Sequence, residues 1–288
     1  MIGLLRAEWL RLRKRRDIWL VALAIVGLSI PAYFSGVSNA MANALNSGGQ
    51  LPPDLPPDVV GQIKAQAQHE LLRYAFPLSI GAVVQTAQVL LLALVAYLAA
   101  AVTGAEFAYG TIRTSLVAHA NRRGFLRVRL AALAAAALLL IALLVVLGVL
   151  LPLTAPLLGT SLPVVADPDI GVPAGMVGVM FLGACFVIGL TTLWAVLIRN
   201  AAIALVLTIA YVLIEGAVVG LIVRVAGEQS PVRWLPPVAD LQLLFDRATG
   251  GSISAPIATP LAIAVGITWV LALWAAAVRV LARADIRE

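Results

Sequence analysis

Charge is scarce in this 288-residue chain, and cysteine and histidine are nearly missing. Charged residues make up 12% of positions, where a soluble domain carries about a quarter. The lone cysteine, Cys185, lies inside an apolar run, which excludes an internal disulfide and any cluster of Cys and His around a metal. Both histidines, His69 and His119, fall outside the apolar runs, so axial ligation of an intramembrane haem is excluded, and no H-E-x-x-H metalloprotease pattern occurs. Lysine is confined to Lys14, after Arg13, and Lys64, after Ile63, so there is no G-x-x-x-x-G-K-[ST] loop to cradle a nucleotide's phosphates. Neither a catalytic residue, a metal ligand nor a bound cofactor is expected in this chain.

What is abundant is apolar surface. Hydrophobic residues fill 62% of the chain and the mean hydropathy is +1.01. They are gathered into runs of roughly 17 to 25 residues, long enough to cross about 30 Å of hydrocarbon as helices. These observations predict an all-α polytopic membrane protein with six transmembrane helices, at Ile18–Gly36, Leu78–Thr103, Val128–Leu151, Ala174–Ile198, Ala201–Val223 and Ile257–Val280. With the amino terminus inside, fifteen of the 20 basic residues are cytoplasmic, and Lys64, Arg73, Arg224, Arg233 and Arg247 are outside. This asymmetry predicts cytoplasmic termini. The net charge of +6 is then a topology signal and an attraction to anionic membrane lipid, with no nucleic-acid partner implied. The basic start and Ala42-Asn43-Ala44 would suit a signal peptide, but the long patterned stretch before the first run favours a retained anchor.

Residues 1–17 place Ile2, Leu5, Trp9 and Leu12 on one helical side and Arg6, Arg13 and Lys14 on the other, which predicts an amphipathic interfacial helix. A basic stop-transfer flank with accidental periodicity is the alternative. Three outer segments are expected, 37–77, 152–173 and 224–256, with a tail at 281–288. In the first, Asp58 is the expected N-cap of an amphipathic helix carrying Val59, Val60, Ile63, Ala67 and Leu71. The third is expected to contain a short interfacial helix over Val238–Ala248. The single large cytoplasmic connection, 104–127, is where a partner would dock, with Arg113 and the pair Arg122 and Arg123 available to acidic groups or lipid phosphates.

Polar residues inside the spans are few. Glu215 shares one stripe of span five with Thr208 and Tyr211 and is expected either to line a gate or substrate path or to bond a neighbouring helix. Gln85 and Gln88 share a face of span two and would line the same path or join helices. A proton- or sodium-coupled carrier usually buries several ionisable groups, and Glu215 is the only acid placed well inside a span. Trp19, Trp194, Trp274, Tyr33 and Trp234 are expected to anchor at the membrane boundaries.

Over nearly its full length the chain resembles the permeases of type-two ATP-binding-cassette (ABC) transporters, mostly exporters. The likeness rests on the basic amphipathic start, on Glu106 to Arg113 as E-x-x-x-G-T-[IL]-R, and on Arg122-Arg123 followed by Phe125 and Leu126. It continues through the hairpin turning at Arg199-Asn200, Glu215 in span five, and the proline-flanked outer helix before span six. Where family members often carry a proline before the arginine pair, this chain has Ala118-His119-Ala120-Asn121. The resemblance implies a coupling helix between spans two and three, seated in a cleft of a separate ATPase that binds ATP and Mg. Its residues here would be Glu106, Gly110, Thr111, Ile112, Arg113, Arg122 and Arg123. It also implies pairing with a second permease subunit, identical or homologous, and a path for an amphipathic small molecule, lipid or peptide across a bacterial cytoplasmic membrane. An ion-coupled carrier using Glu215, or a membrane partner that transports nothing, are the alternatives.

Overall fold

The computed structural model describes residues 2–49, 56–108, 122–158, 162, 170–226 and 259–283. Among them there are eight α-helices and no strand. They are α1 (Ile2–Lys14), α2 (Arg16–Gly49), α3 (Pro57–Leu72), α4 (Leu78–Ala108), α5 (Arg122–Thr154), α6 (Gly171–Ile198), α7 (Ala201–Ala226) and α8 (Thr259–Arg283), with a 3-10 turn at Ala155–Leu158. Helix is what these runs must form in hydrocarbon, because only a helix satisfies every backbone N–H and C=O within one segment.

Five stretches are long and apolar enough to cross a membrane: Arg16–Ala44, Leu78–Phe107, Arg123–Thr154, Gly171–Ile198 and Pro260–Arg283. The remaining expected span, the fifth, coincides with α7, where the apolar stretch among described residues, Ala201–Glu215, is shorter. Large apolar side chains remain exposed on these helices, including Leu23, Val146, Leu213 and Leu271. A soluble protein would not leave so many in water, and the pattern fits a multi-pass membrane protein.

Helices overrun the expected spans. α2 continues past Gly36 to Gly49, α4 passes Thr103 to end at Ala108, and α5 begins at Arg122, ahead of Val128. Polar residues extend these helices because the hydrogen-bond ladder propagates more cheaply than it terminates. Pro57 occupies the first turn of α3 and Pro56 the cap, so Asp58 lies inside the first turn and makes no capping bond, contrary to its expected role. Proline suits that first position because its missing N–H would have no helical partner there.

The chain divides into two compact units. One comprises Met1–Ala22, Val89–Leu140 and Gly178–Glu288. Its core includes Leu91, Leu98, Phe125, Leu130, Phe186 and Ala277. At Gly104 a Cβ would stand 2.5 Å from the Cα of Ala201, so only glycine lets α4 approach the start of α7 this closely. Between α6 and α7 the chain turns at Arg199, whose φ of 58° is left-handed, and Asn200. Asn200 Oδ1 accepts hydrogen bonds from the N–H groups of Ala202, at 2.9 Å, and Ile203, at 3.2 Å, capping α7. Trp274 Nε1 donates to the carbonyl of Cys185 at 3.1 Å, joining α8 to α6.

The other unit comprises Leu23–Gln88 and Ile141–Val177. Tyr33, expected to anchor at the membrane boundary, is 1% exposed within this unit. Its hydroxyl donates to the carbonyl of Tyr74 at 2.7 Å, and its ring meets those of Phe34 and Tyr74 edge-on. Ser79 Oγ donates to the carbonyl of Gly148 at 2.7 Å, where α4 and α5 touch backbone to backbone.

Candidate functional site

In the first unit, three helices bring four charged side chains to one buried place. Helix α1 supplies Glu8 and Arg11, one turn apart on the same side. The last turn of α4 supplies Glu106, and the second turn of α5 supplies Arg129. Arg129 Nη1 donates to Glu106 Oε2 at 2.5 Å and Nη2 to Oε1 at 2.9 Å, a two-pronged pairing of guanidinium and carboxylate. Arg11 Nη2 lies 2.5 Å from the same Oε1. Glu8 Oε1 stands 3.6 Å from Arg129 Nη2 and 3.7 Å from Arg11 Nη1. Two carboxylates thus meet two guanidiniums and the cluster is neutral.

Burial makes the cluster costly to disturb. Arg129 is 1% exposed, Glu106 4% and Glu8 7%. Phe125 covers one face of the Arg129 guanidinium, with its ring centroid 4.4 Å from Cζ. Among the described residues, Arg129 Nε and Glu8 Oε2 have no hydrogen-bond partner. Removing one member of a buried pair leaves an uncompensated charge at a cost of about 3 to 5 kcal/mol. The α1–α2 corner is fastened beside it: Arg15 donates to Asp17 through Nε and Nη2, and through Nη1 to the carbonyl of Ala101 on α4 at 3.2 Å. Trp19, expected as a boundary anchor, is exposed and donates to the carbonyl of Arg13 at 3.2 Å. What the arrangement can do is hold α1, the end of α4 and the start of α5 as one body.

Of the expected coupling residues, Glu106 lies in this cluster, facing the chain's own arginines. Gly110, Thr111, Ile112 and Arg113 lie outside the described residues. Arg122 opens α5, and Arg123 follows it exposed to the surroundings. Leu12 is buried and Trp9 half-buried on α1, while Arg6, Arg13 and Lys14 are exposed. The expected helix over Val238–Ala248 also lies outside the described residues.

The expected path residues fall in both units. In the first, Thr208 and Glu215 are buried on α7, with Tyr211 half-buried between them. The Thr208 hydroxyl donates back to the carbonyl of Ala204 at 2.9 Å, and Tyr211 interacts side chain to side chain with Glu215 and packs against Phe186. Thr208 also borders an apolar cavity of about 30 Å³ walled by Leu92, Val187 and Ile209, room for a single water. In the second unit, Gln85 Oε1 accepts a hydrogen bond from Arg73 Nη2 at 2.5 Å, and Gln88 is half-buried. Among the described residues, no three His, Cys, Asp or Glu side chains group closely enough to hold a metal ion.

Glu8, Arg11 and Arg129 are not singled out by the sequence patterns, although two signals are present. Glu8 interrupts the side of α1 that carries Leu5 and Leu12, and Arg129 sits one position inside an apolar run. Each is an ionised group where an apolar one belongs, which demands a partner. No family model matches the chain, and no curated protein matches it.

Proposed function

We propose that this chain is the membrane-embedded permease subunit of an ATP-driven exporter whose ATPase is a separate polypeptide. In this reading α2 and α4 to α8 are the six spans, both termini are cytoplasmic, and α1 lies along the inner interface. The observation that carries the proposal is the buried pairing of Glu106 with Arg129. These residues stand just before and just after the one long cytoplasmic connection, and α1 joins them through Arg11 and Glu8. A partner docked on that connection would push on a block, not on a loose loop. Closure of two ATPase subunits around ATP and Mg would shift Gly110 to Arg113 and Arg122 with Arg123, and packed helices would carry the shift along α4 and α5 as a rigid-body motion. Two such chains, identical or homologous, would enclose the path for an amphipathic small molecule, lipid or peptide.

The test is retention of the ATPase. Arg113→Ala, or Arg122→Ala with Arg123→Ala, removes charge-assisted contacts, and truncating one partner of such a pair buried at an interface costs about 2 to 5 kcal/mol. The variants should reach the membrane at near-normal level in the normal orientation, yet fail to co-purify with the ATPase or to stimulate its hydrolysis. Variants that retain the ATPase and transport at the wild-type rate would defeat the docking role.

A second reading has its own support. Glu215, the one acid of α7, is 5% exposed, as a coupling acid in an ion-driven carrier would be. Transport by the purified chain in vesicles with an ion gradient and no ATPase would establish that reading in place of the first.

A further inference from the structure

In the first unit, α5 and α8 leave between them a groove of about 590 Å³. Its polar end is built by two pairs of arginines, each pair one helical turn apart: Arg123 and Arg127 on α5, Arg279 and Arg283 on α8. All four are exposed, and among the described residues none has a carboxylate or other hydrogen-bond partner, in contrast to nearby Arg129, whose Nη1 and Nη2 both donate to Glu106. Like charges at such spacing repel one another, and an anion bound among the four guanidiniums would relieve that repulsion.

The rest of the groove is apolar. Leu130, Val278 and Ala275 form its wall with the half-buried ring of Trp274, and Leu271 continues it along α8. From Arg283 back to Leu271 the helix rises about 18 Å, so the arginines mark one end and an exposed leucine the other. An acidic protein surface would match the first part and not the second. An amphiphile with a phosphate head and hydrocarbon chains matches both, since arginine grips phosphate oxygens in pairs and the apolar wall receives methylenes.

We propose that this groove binds an anionic phospholipid, its phosphate held by the four arginines and its acyl chain laid against Leu271, Ala275 and Val278. Arg123 is shared with the docking role proposed above, but the test below acts on Arg279, Arg283 and Ala275, which that role does not use, so the two readings fail separately. Basic recesses between membrane helices at the interface are suited to such head groups.

Native mass spectrometry of the purified full-length chain, titrated with dioleoyl phosphatidylglycerol or dioleoyl phosphatidylcholine, tests the proposal. The anionic lipid should be retained in preference to the zwitterionic one. Each basic side chain near an anionic head group contributes about fivefold, so Arg279→Gln with Arg283→Gln should lower that preference at least tenfold. Arg279→Lys with Arg283→Lys keeps the charges and should keep most of the preference. Ala275→Phe leaves every charge in place and should displace the lipid by filling the apolar wall, which tests the groove even if the glutamine variant misassembles. Equal retention of the two lipids, or wild-type retention of phosphatidylglycerol by either the glutamine pair or Ala275→Phe, overturns the proposal. Displacement of the bound lipid by millimolar inorganic phosphate would make this a site for soluble anions and overturn it too. So would binding seen only after Asp285→Asn with Glu288→Gln, because the chain's own carboxylates would then be the counter-charge.

Discussion

Arg129 closes both prongs of its guanidinium, at 2.5 and 2.9 Å, on a glutamate 23 positions earlier in the chain, across a connection that begins and ends beside them. Helices α4 and α5 are thereby clamped at the point where the polar connection leaves them. The Glu106–Arg129 pair is buried and so poorly screened by salt, and the clamp acts at physiological ionic strength much as it would in dilute buffer.

Breaking the clamp on one side should be worse than deleting it. Arg129→Met or Glu106→Leu breaks the two-pronged pair and leaves the cluster with one uncompensated charge, and should destabilise the purified protein by about 3 to 5 kcal/mol, read as a lower melting temperature in detergent. The double variant Glu106→Leu with Arg129→Met should recover much of that loss, because the remaining Glu8 and Arg11 pair with each other one turn apart on α1. Arg11→Gln should cost far less, about 1 kcal/mol, since Arg11 is 47% exposed and water replaces its contacts. Equal losses for Arg11→Gln and Arg129→Met would show that burial does not govern the cluster.

Glu215 offers a cleaner separation of charge from packing. Glu215→Gln keeps a side chain able to hydrogen-bond in the same volume and should assemble normally while changing transport, measured in vesicles as initial rate. Glu215→Leu should abolish transport if the acid lines the path or couples an ion. Wild-type rates with leucine would assign Glu215 to helix packing beside Tyr211.

Orientation is open to direct labelling. In a Cys185→Ala background, single cysteines at Asn46 and Gly250 should react with a membrane-impermeant maleimide added outside intact cells, and one at His119 should react only after permeabilisation. Labelling of the His119 position from outside would reverse the topology derived from the basic residues.

Much of the helical layout is legible without coordinates, and the reasons are local. Apolar runs such as those containing Leu91 and Phe186 form helices because hydrocarbon leaves the backbone no other partner, and this depends only on neighbours along the chain. The turn at Arg199-Asn200 is equally local, with an asparagine placed to cap α7. The helix after Pro56 is visible for the same reason, though not its cap, because whether Asp58 or a proline ends the turn depends on one backbone angle.

What pattern alone leaves undecided is which charges meet. Arg11, Arg123, Arg127 and Arg129 are equivalent in a count of basic residues, yet Arg129 is sealed against Glu106 and Glu8, while Arg123 and Arg127 share a groove with Arg279 and Arg283. Tyr33 likewise has the sequence surroundings of a boundary residue and the contacts of a core one. The run of apolar residues determined by itself that this chain builds membrane-length helices. Only packing decided which polar side chains those helices hide, because an ion pair between Glu8 and Arg129 is set by how three helices lie together, and no periodicity along any one of them encodes that.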